Sequence, residues 1–280
     1  MIVMAMSHRP LTGYNEKYAV GRKFMSAQNV AGQNTSASSG KTIKIQSSSG
    51  GEFDCYLVVP KTDGPVPAMV LASAIHGVDA DHRGIADEFA ASGYIVAAPD
   101  LFWRTVPGPL SRDDTRTKDR GQPRLERIKT GERDLADTLF YLRTLPQFNG
   151  NAAVMGFCYG GPYAIIGPNR LGYAAGISCH GTQMNDYIAE LEGVSAPVCI
   201  IWGDHDHAAP ASVLDACRKI APRFKNLDLY IFPGVLHGYM MPGAKDAFDQ
   251  TTRDFSMARA KAILEGLRGA AASSPLRQAS

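Results

Sequence analysis

The chain runs to 280 residues, 45% of them hydrophobic and 20% charged, with a formal net charge of +2. That length suits one domain with a substantial core or two small ones, and so slight a charge gives no ground for a nucleic-acid or membrane-surface partner. No stretch approaches the roughly 18 consecutive apolar residues of a membrane span, and the five cysteines (55, 158, 179, 199 and 217) form no C-x-x-C pair, which argues for reduced thiols in a cytoplasm.

Residues 1–40 show no sustained period. They open on "MIVMAMSHRP", an apolar run too short and too poor in preceding basic residues for a signal peptide, and pass through the small, polar "AGQNTSASSG". An extended arm lying over the body or a neighbouring subunit is expected here, with one domain occupying 41–280. "KTIKIQS" (41–47) alternates apolar and polar residues, "SSGG" turns the chain, and "FDCYLVVP" (53–60) resumes β-type residues, which predicts a hairpin. "VPAMVLAS" (66–73) is apolar throughout, as in a strand covered on both faces. "RGIADEFAASG" (83–93) carries Ile85, Ala86, Phe89 and Ala90 at helical spacing, with Gly93 closing it.

The alternation continues. "YIVAAPDLF" (94–102) reads as a strand and "GERDLADTLFYLRTL" (131–145) as an amphipathic helix. "NAAVMGF" (151–157) is a strand, "PYAIIG" (162–167) a short helix, "YAAGISC" (173–179) a strand and "NDYIAELEG" (185–193) a helix. "APVCIIWG" (196–203), "SVLDACRKIA" (212–221), "LDLYIFPG" (227–234) and a long closing helix over 245–267 complete the set. Strands alternating with helices, most strands apolar throughout, predict an α/β domain. Its mostly parallel sheet is flanked by helices and extended by the antiparallel N-terminal hairpin. Residues 103–130 interrupt the rhythm, being proline-rich and then dense in both charge signs. An insertion after a strand falls on the side where open α/β sheets bind ligands, either as a solvated loop or as a partial lid whose arginines meet an anionic substrate.

Gly156-Phe157-Cys158-Tyr159-Gly160 stands between a predicted strand and a predicted helix. In G-x-nucleophile-x-G the glycines let the chain reverse tightly and hold the nucleophile above the sheet, and helix amides directed at the sulfur favour the thiolate. Such an elbow needs an acid after a later strand and a histidine later still. "CIIWGDHDHAAP" offers Asp204 and Asp206, of which the G-x-x-D spacing from Gly203 selects Asp206, leaving Asp204 to hold the turn. "YIFPGVLHGYM" places His237 just past the next strand. Histidine would take or hold the proton of sulfur while the carboxylate fixes its tautomer. The other cysteines are expected in the core, although Cys179 ends a strand and could line the pocket. "DHDH" with His180 also invites a metal, but adjacent loop residues cannot all face one ion, and no metal is expected. For the oxyanion, the amide of Tyr159 supplies one donor, and the loop "ASAIHGVD" offers Ile75 or His76 for the second.

With "GFCYGG", "GDHDHAAP", "LHGY" and "GYIVAAPDLFWR", the chain resembles the dienelactone hydrolase family of α/β-hydrolases over roughly residues 41–268. The resemblance implies an α/β-hydrolase fold, a triad of Cys158, Asp206 and His237, and cofactor-free opening of unsaturated lactones formed in aromatic-ring degradation. Two departures stand out. Where the family carries a glutamate that interacts with the cysteine, this chain has Ala74; where it carries a substrate-binding arginine four residues past the histidine, it has Met241. Arg104, Arg116, Arg120 and Arg124 are then the candidates for holding a substrate carboxylate, with His76 and His180 as further lining residues. Attack by Cys158, with the oxyanion on the amides of Ile75 and Tyr159, gives a thioester that His237 helps water to release. The alternatives are a general carboxylesterase or thioesterase on the same scaffold, or a non-catalytic binder of a small molecule. A monomer or a homodimer is expected.

Overall fold

The computed structural model describes residues 40–192 and 194–272; the arm expected over 1–40 lies, but for Gly40, outside the described residues. Eight strands form one sheet in the order β1-β2-β4-β3-β5-β6-β7-β8. β1 (Lys41–Gln46) and β2 (Glu52–Val58) pair antiparallel in the predicted hairpin, and β2 runs antiparallel to β4 (Ile95–Pro99). From β4 through β3 (Val66–Ala72), β5 (Phe148–Phe157), β6 (Ala175–Cys179), β7 (Val198–His205) and β8 (Leu227–Leu236), every pairing is parallel.

The unbroken apolar runs are explained by helices on both faces. In β3, Met69 and Leu71 face Ile85 and Phe89 of α1 (Ala80–Ala91) and Met257, Ala260 and Leu264 of α6 (Gln250–Arg268). The alternate residues Val66, Ala68, Val70 and Ala72 face the other way. They join Leu135, Leu139 and Leu142 of α3 (Arg124–Leu142) and Tyr163 and Ile166 of α4 (Tyr163–Ile166). Each fully buried aliphatic or aromatic side chain of this kind stabilises the fold by about 1.5–3 kcal/mol. A third apolar cluster gathers Trp202, Leu214 and Leu229 under α5 (Ala211–Ile220). No helix among the described residues is long and apolar enough to cross a membrane.

Four elements depart from expectation. α3 begins at Arg124, seven residues before the predicted 131, because Ile128 sits on the same buried stripe as Gly131, Leu135 and Leu142. The dense charges of 124–130 fill the opposite face and hide that period in the sequence. The rest of the insertion forms turns and one short helix, α2 (Thr117–Gly121). The helix expected over 185–193 is instead two 3₁₀ turns, Met184–Asp186 and Ile188–Leu191; Ile188 and Leu191 are buried at the three-residue spacing such a turn provides. The closing helix starts at Gln250, since the Asp249 carboxylate accepts from the Thr252 amide at 2.7 Å and caps it. The short helix after the cysteine continues past the predicted 167 as a wider turn to Leu171.

Candidate active site

β5 delivers the chain to Cys158 and then reverses it. Cys158 has φ +50°, a left-handed conformation that costs a non-glycine residue about 1 kcal/mol or more. The neighbours dictate this strain. A Cβ on Gly156 would lie 2.0 Å from the Gly160 carbonyl oxygen, and one on Gly160 would lie 2.2 Å from the Ala72 oxygen, so both positions exclude side chains. The Cys158 carbonyl accepts from the Gly161 amide at 3.0 Å, the Thr182 amide at 2.9 Å and the Thr182 hydroxyl at 3.2 Å, which offsets the strain. Thr182 carried no sequence signal. Cys158 is half-buried, whereas the other four cysteines are buried. Burial pushes those four thiols up, Cys217 to about 11 and Cys179 to about 12.

β7 and β8 supply the other two groups. A Cβ on Gly203 would meet the Val235 oxygen at 1.9 Å, so glycine lets the strand ends close on one another. There the His237 Nδ1 donates to Asp206 Oδ1 and Oδ2 at 2.8 and 2.9 Å, and Asp206 Oδ1 also accepts from the Ala208 amide at 2.8 Å. The Asp206 carboxylate is buried. Asp204 faces away, accepting from the Gly234 amide at 2.7 Å and so tying the loop between the strands. With Nδ1 engaged, Nε2 of His237 is the ring nitrogen left to serve the Cys158 sulfur. Burial opposes charge on His237, but the Asp206 carboxylate and the Cys158 sulfur outweigh it and raise the imidazole to about 10.

His237 lies between two more imidazoles, with ring centroids 5.0 Å from His180 and 5.1 Å from His207. His180 is 1% exposed and also packs edge-on against Tyr239 at 5.2 Å. Burial, and then the charge on His237, lower its basicity well below the ordinary range, so His180 is neutral. Neither of its ring nitrogens has a protein partner among the described residues. Met241 is buried in the same cluster as Tyr239.

The arginines expected to meet a substrate are taken up by the protein. Arg104 pairs with the buried Asp134 carboxylate at 2.8 Å and lies over the Trp103 ring at 4.0 Å. Arg116 is an exposed partner of Asp114. Arg120 is fully buried; its Nε donates to the Val106 carbonyl at 2.8 Å, its Nη1 to Ile75 at 2.9 Å, and its Nη2 to Val106 and Gly108. Arg124 stacks on Tyr159 at 4.4 Å and donates to the Tyr159 and Thr182 carbonyls, both at 3.2 Å, bracing the elbow from behind. Arg104, Arg120 and Arg124 thus hold the insertion and the elbow in place. Carbonyls and carboxylates distant in sequence are invisible partners when an arginine is read from the sequence alone.

The loop after β3 completes the site. Its residues Ile75 and His76 are half-buried, and burial followed by the Arg112 charge lowers the basicity of His76. Gly77 donates to the Ala74 carbonyl at 2.9 Å, and Leu110 of the insertion donates to the His76 carbonyl at 2.9 Å. His82 and Asp79, which sequence reasoning passed over, pack directly behind this loop. An Asp-x-x-His at a helix start was the available signal. Among the described residues no group of three or more His, Cys, Asp or Glu side chains is arranged to hold a metal ion.

Residues 53–266 match the dienelactone hydrolase family. Carboxymethylenebutenolidase 1 of Cupriavidus pinatubonensis is 29% identical over 230 residues, covering 81% of this chain and 97% of that protein. The carboxymethylenebutenolidase of Pseudomonas putida is 28% identical over 172 residues, covering 60% of this chain and 72% of its own. Among solved structures, a dienelactone hydrolase-like promiscuous phosphotriesterase from metagenomic libraries superposes with TM-score 0.69 at 17% identity, covering 83% of this chain and 100% of its own. The dienelactone hydrolase of Anabaena variabilis gives 0.60 at 16% identity, covering 81% and 97%. These two likenesses show the α/β-hydrolase fold.

Proposed function

Because the chain belongs to the dienelactone hydrolase family, a family of ester- and lactone-cleaving hydrolases, we propose that it opens an unsaturated lactone through a thioester on Cys158. The observation that carries this reading is the Cys158–His237–Asp206 arrangement on a left-handed elbow. The thiolate is the attacking form of a cysteine, and His237 is placed to take or hold the proton of the sulfur.

The thiolate adds to the lactone carbonyl, and the oxyanion that forms is held by the amides of Ile75 and Tyr159. Tyr159 is one of the first residues of its helical turn, whose leading N–H groups have no acceptor within the turn. Collapse breaks the ring C–O bond, forms the thioester and expels an enolate, which takes the proton from His237. Neutral His237 then accepts a proton from water as the water attacks the thioester. Collapse of this second intermediate restores the thiolate and the imidazolium and releases the ring-opened acid. A thiolate suits an enol ester better than an amide, since the enolate leaves with little protonation.

The commitment of Arg104, Arg120 and Arg124 to protein partners supports a substrate that is held mainly by shape and by its reacting carbonyl. Turnover of an unsaturated lactone, followed by the change in ultraviolet absorbance on ring opening, is compared with that of a simple aryl acetate. A higher kcat/KM for the lactone supports the proposal. A higher value for the aryl acetate assigns the chain to general carboxylesterases.

A further inference from the structure

Behind the oxyanion loop lies a buried pair that the reaction does not use directly. His82, in the first turn of α1, is 1% exposed. The Asp79 Oδ1 accepts both the His82 amide, at 3.0 Å, and the ring Nδ1, at 2.7 Å. Two acceptors cannot face one another at that distance, so Nδ1 carries the proton and Nε2 presents its lone pair. That lone pair accepts the Ala74 amide at 3.2 Å. The ring also stands edge-on to Phe157, the residue before the nucleophile, with centroids 5.2 Å apart. One side chain therefore touches both halves of the site.

Every other polar group of this stretch of backbone can be accounted for. The Ala74 amide goes to His82, the Ala74 carbonyl to Gly77, the Ile75 carbonyl to Arg120 and the His76 carbonyl to Leu110. Among the described residues, the amides left without an acceptor are those of Ile75 and His76. Both sides of Ile75 are thus fixed: His82 holds the residue before it, and Arg120 holds its own carbonyl. From this we infer that His82, oriented by Asp79, is a positioning residue that aims the Ile75 amide at the oxyanion. The inference rests on the acyl-transfer reading above. It also gives the Ala74 position a role: with no side chain to reach the cysteine, its backbone amide is the handle by which the loop is held.

His82→Phe tests this, since it retains a ring against Phe157 but removes the acceptor and leaves the Ala74 amide buried without one. His82→Gln restores an oxygen acceptor and serves as the rescue. Hydrolysis of p-nitrophenyl acetate and alkylation of Cys158 by iodoacetamide are measured on each, because alkylation forms no oxyanion. For His82→Phe, kcat is expected to fall about 10- to 100-fold with KM within about threefold, the alkylation rate staying within about twofold. His82→Gln is expected to recover most of kcat. His82→Leu, which leaves space instead of a ring, gives the same split and stands in if the Phe variant does not fold. A kcat within about twofold of the unmodified protein in the folded variant, or alkylation falling in parallel with kcat, overturns the inference. Retention of full activity by Cys158→Ala would instead overturn the acyl-transfer reading, so the two failures are distinguishable.

Discussion

Replacing Asp206 by Asn changes one atom pair and removes the charge that keeps His237 protonated. The carboxylate serves three contacts: two from His237 Nδ1, at 2.8 and 2.9 Å, and one from the Ala208 amide, at 2.8 Å. An amide can keep its oxygen toward Ala208 only by placing its NH₂ beside Nδ1, where two donors meet unless the imidazole changes tautomer. The rise of His237 from the ordinary 6.5 to about 10 corresponds to roughly 5 kcal/mol in favour of the charged ring, shared between Asp206 and Cys158. Loss of a substantial part of that preference lowers the population of the charged pair by about one to two orders of magnitude, before the tautomer change is counted. With it, a fall of about 10³- to 10⁴-fold in kcat/KM is expected at pH 7.

Burial, the largest single influence on His237 and one that disfavours charge, then acts unopposed by the carboxylate. In the unmodified protein the imidazolium persists until the pH rises through about 10. In Asp206→Asn, with one of its two raising partners gone, it is lost at a lower pH. Alkylation of Cys158 by iodoacetamide, followed from pH 5 to 10, reads the difference. It is expected to slow at least about tenfold at pH 7 in the variant and to recover as the pH rises. Equal alkylation rates at pH 7, together with kcat/KM within about threefold, would refute the assigned role of Asp206.

Gly160→Ala places a Cβ 2.2 Å from the Ala72 oxygen, a clash between backbones that only a shift of the elbow can relieve; loss of about 1–3 kcal/mol in urea unfolding and at least about 100-fold in kcat is expected. Arg104→Met leaves Asp134 buried without its partner. Burial already holds Asp134 up at about 6 against the pull of Arg104 and Trp103. A carboxyl raised in the folded state is easiest to bury when protonated, so the variant should lose about 1–3 kcal/mol above pH 6 and much less at pH 5. KM for a carboxylate-bearing lactone should stay within about threefold, because the Arg104 guanidinium is committed to Asp134 and stacked on Trp103.

The fold was legible where local pattern and burial coincide. The apolar runs of β3, β4 and β6 are buried along their whole length because helices cover both faces, and the alternation of β1 marks an edge hairpin. Cys158, Asp206 and His237 were readable because each sits where a strand ends and a loop must turn, at positions that glycines announce. Legibility failed where the partner of a residue lies far away in the chain. Arg120 reads as one more charge in a charged loop, yet it is buried on the carbonyls of Ile75, Val106 and Gly108. His82 lies just before the helix predicted over 83–93, outside its apolar period, and only the fold brings its ring to the Ala74 amide. The start of α3 was hidden because the charges of 124–130 outnumber the single buried Ile128 in that stretch.

In the proposed reaction the sulfur of Cys158 forms the bond to the substrate carbonyl. Turnover by Cys158→Ala, on whichever lactone or ester the unmodified protein hydrolyses fastest, tests it most directly. A fall of at least about 10³-fold in kcat is predicted, with the thermal unfolding midpoint little changed because the position is half-buried. Full activity in Cys158→Ala would exclude a thioester on this residue.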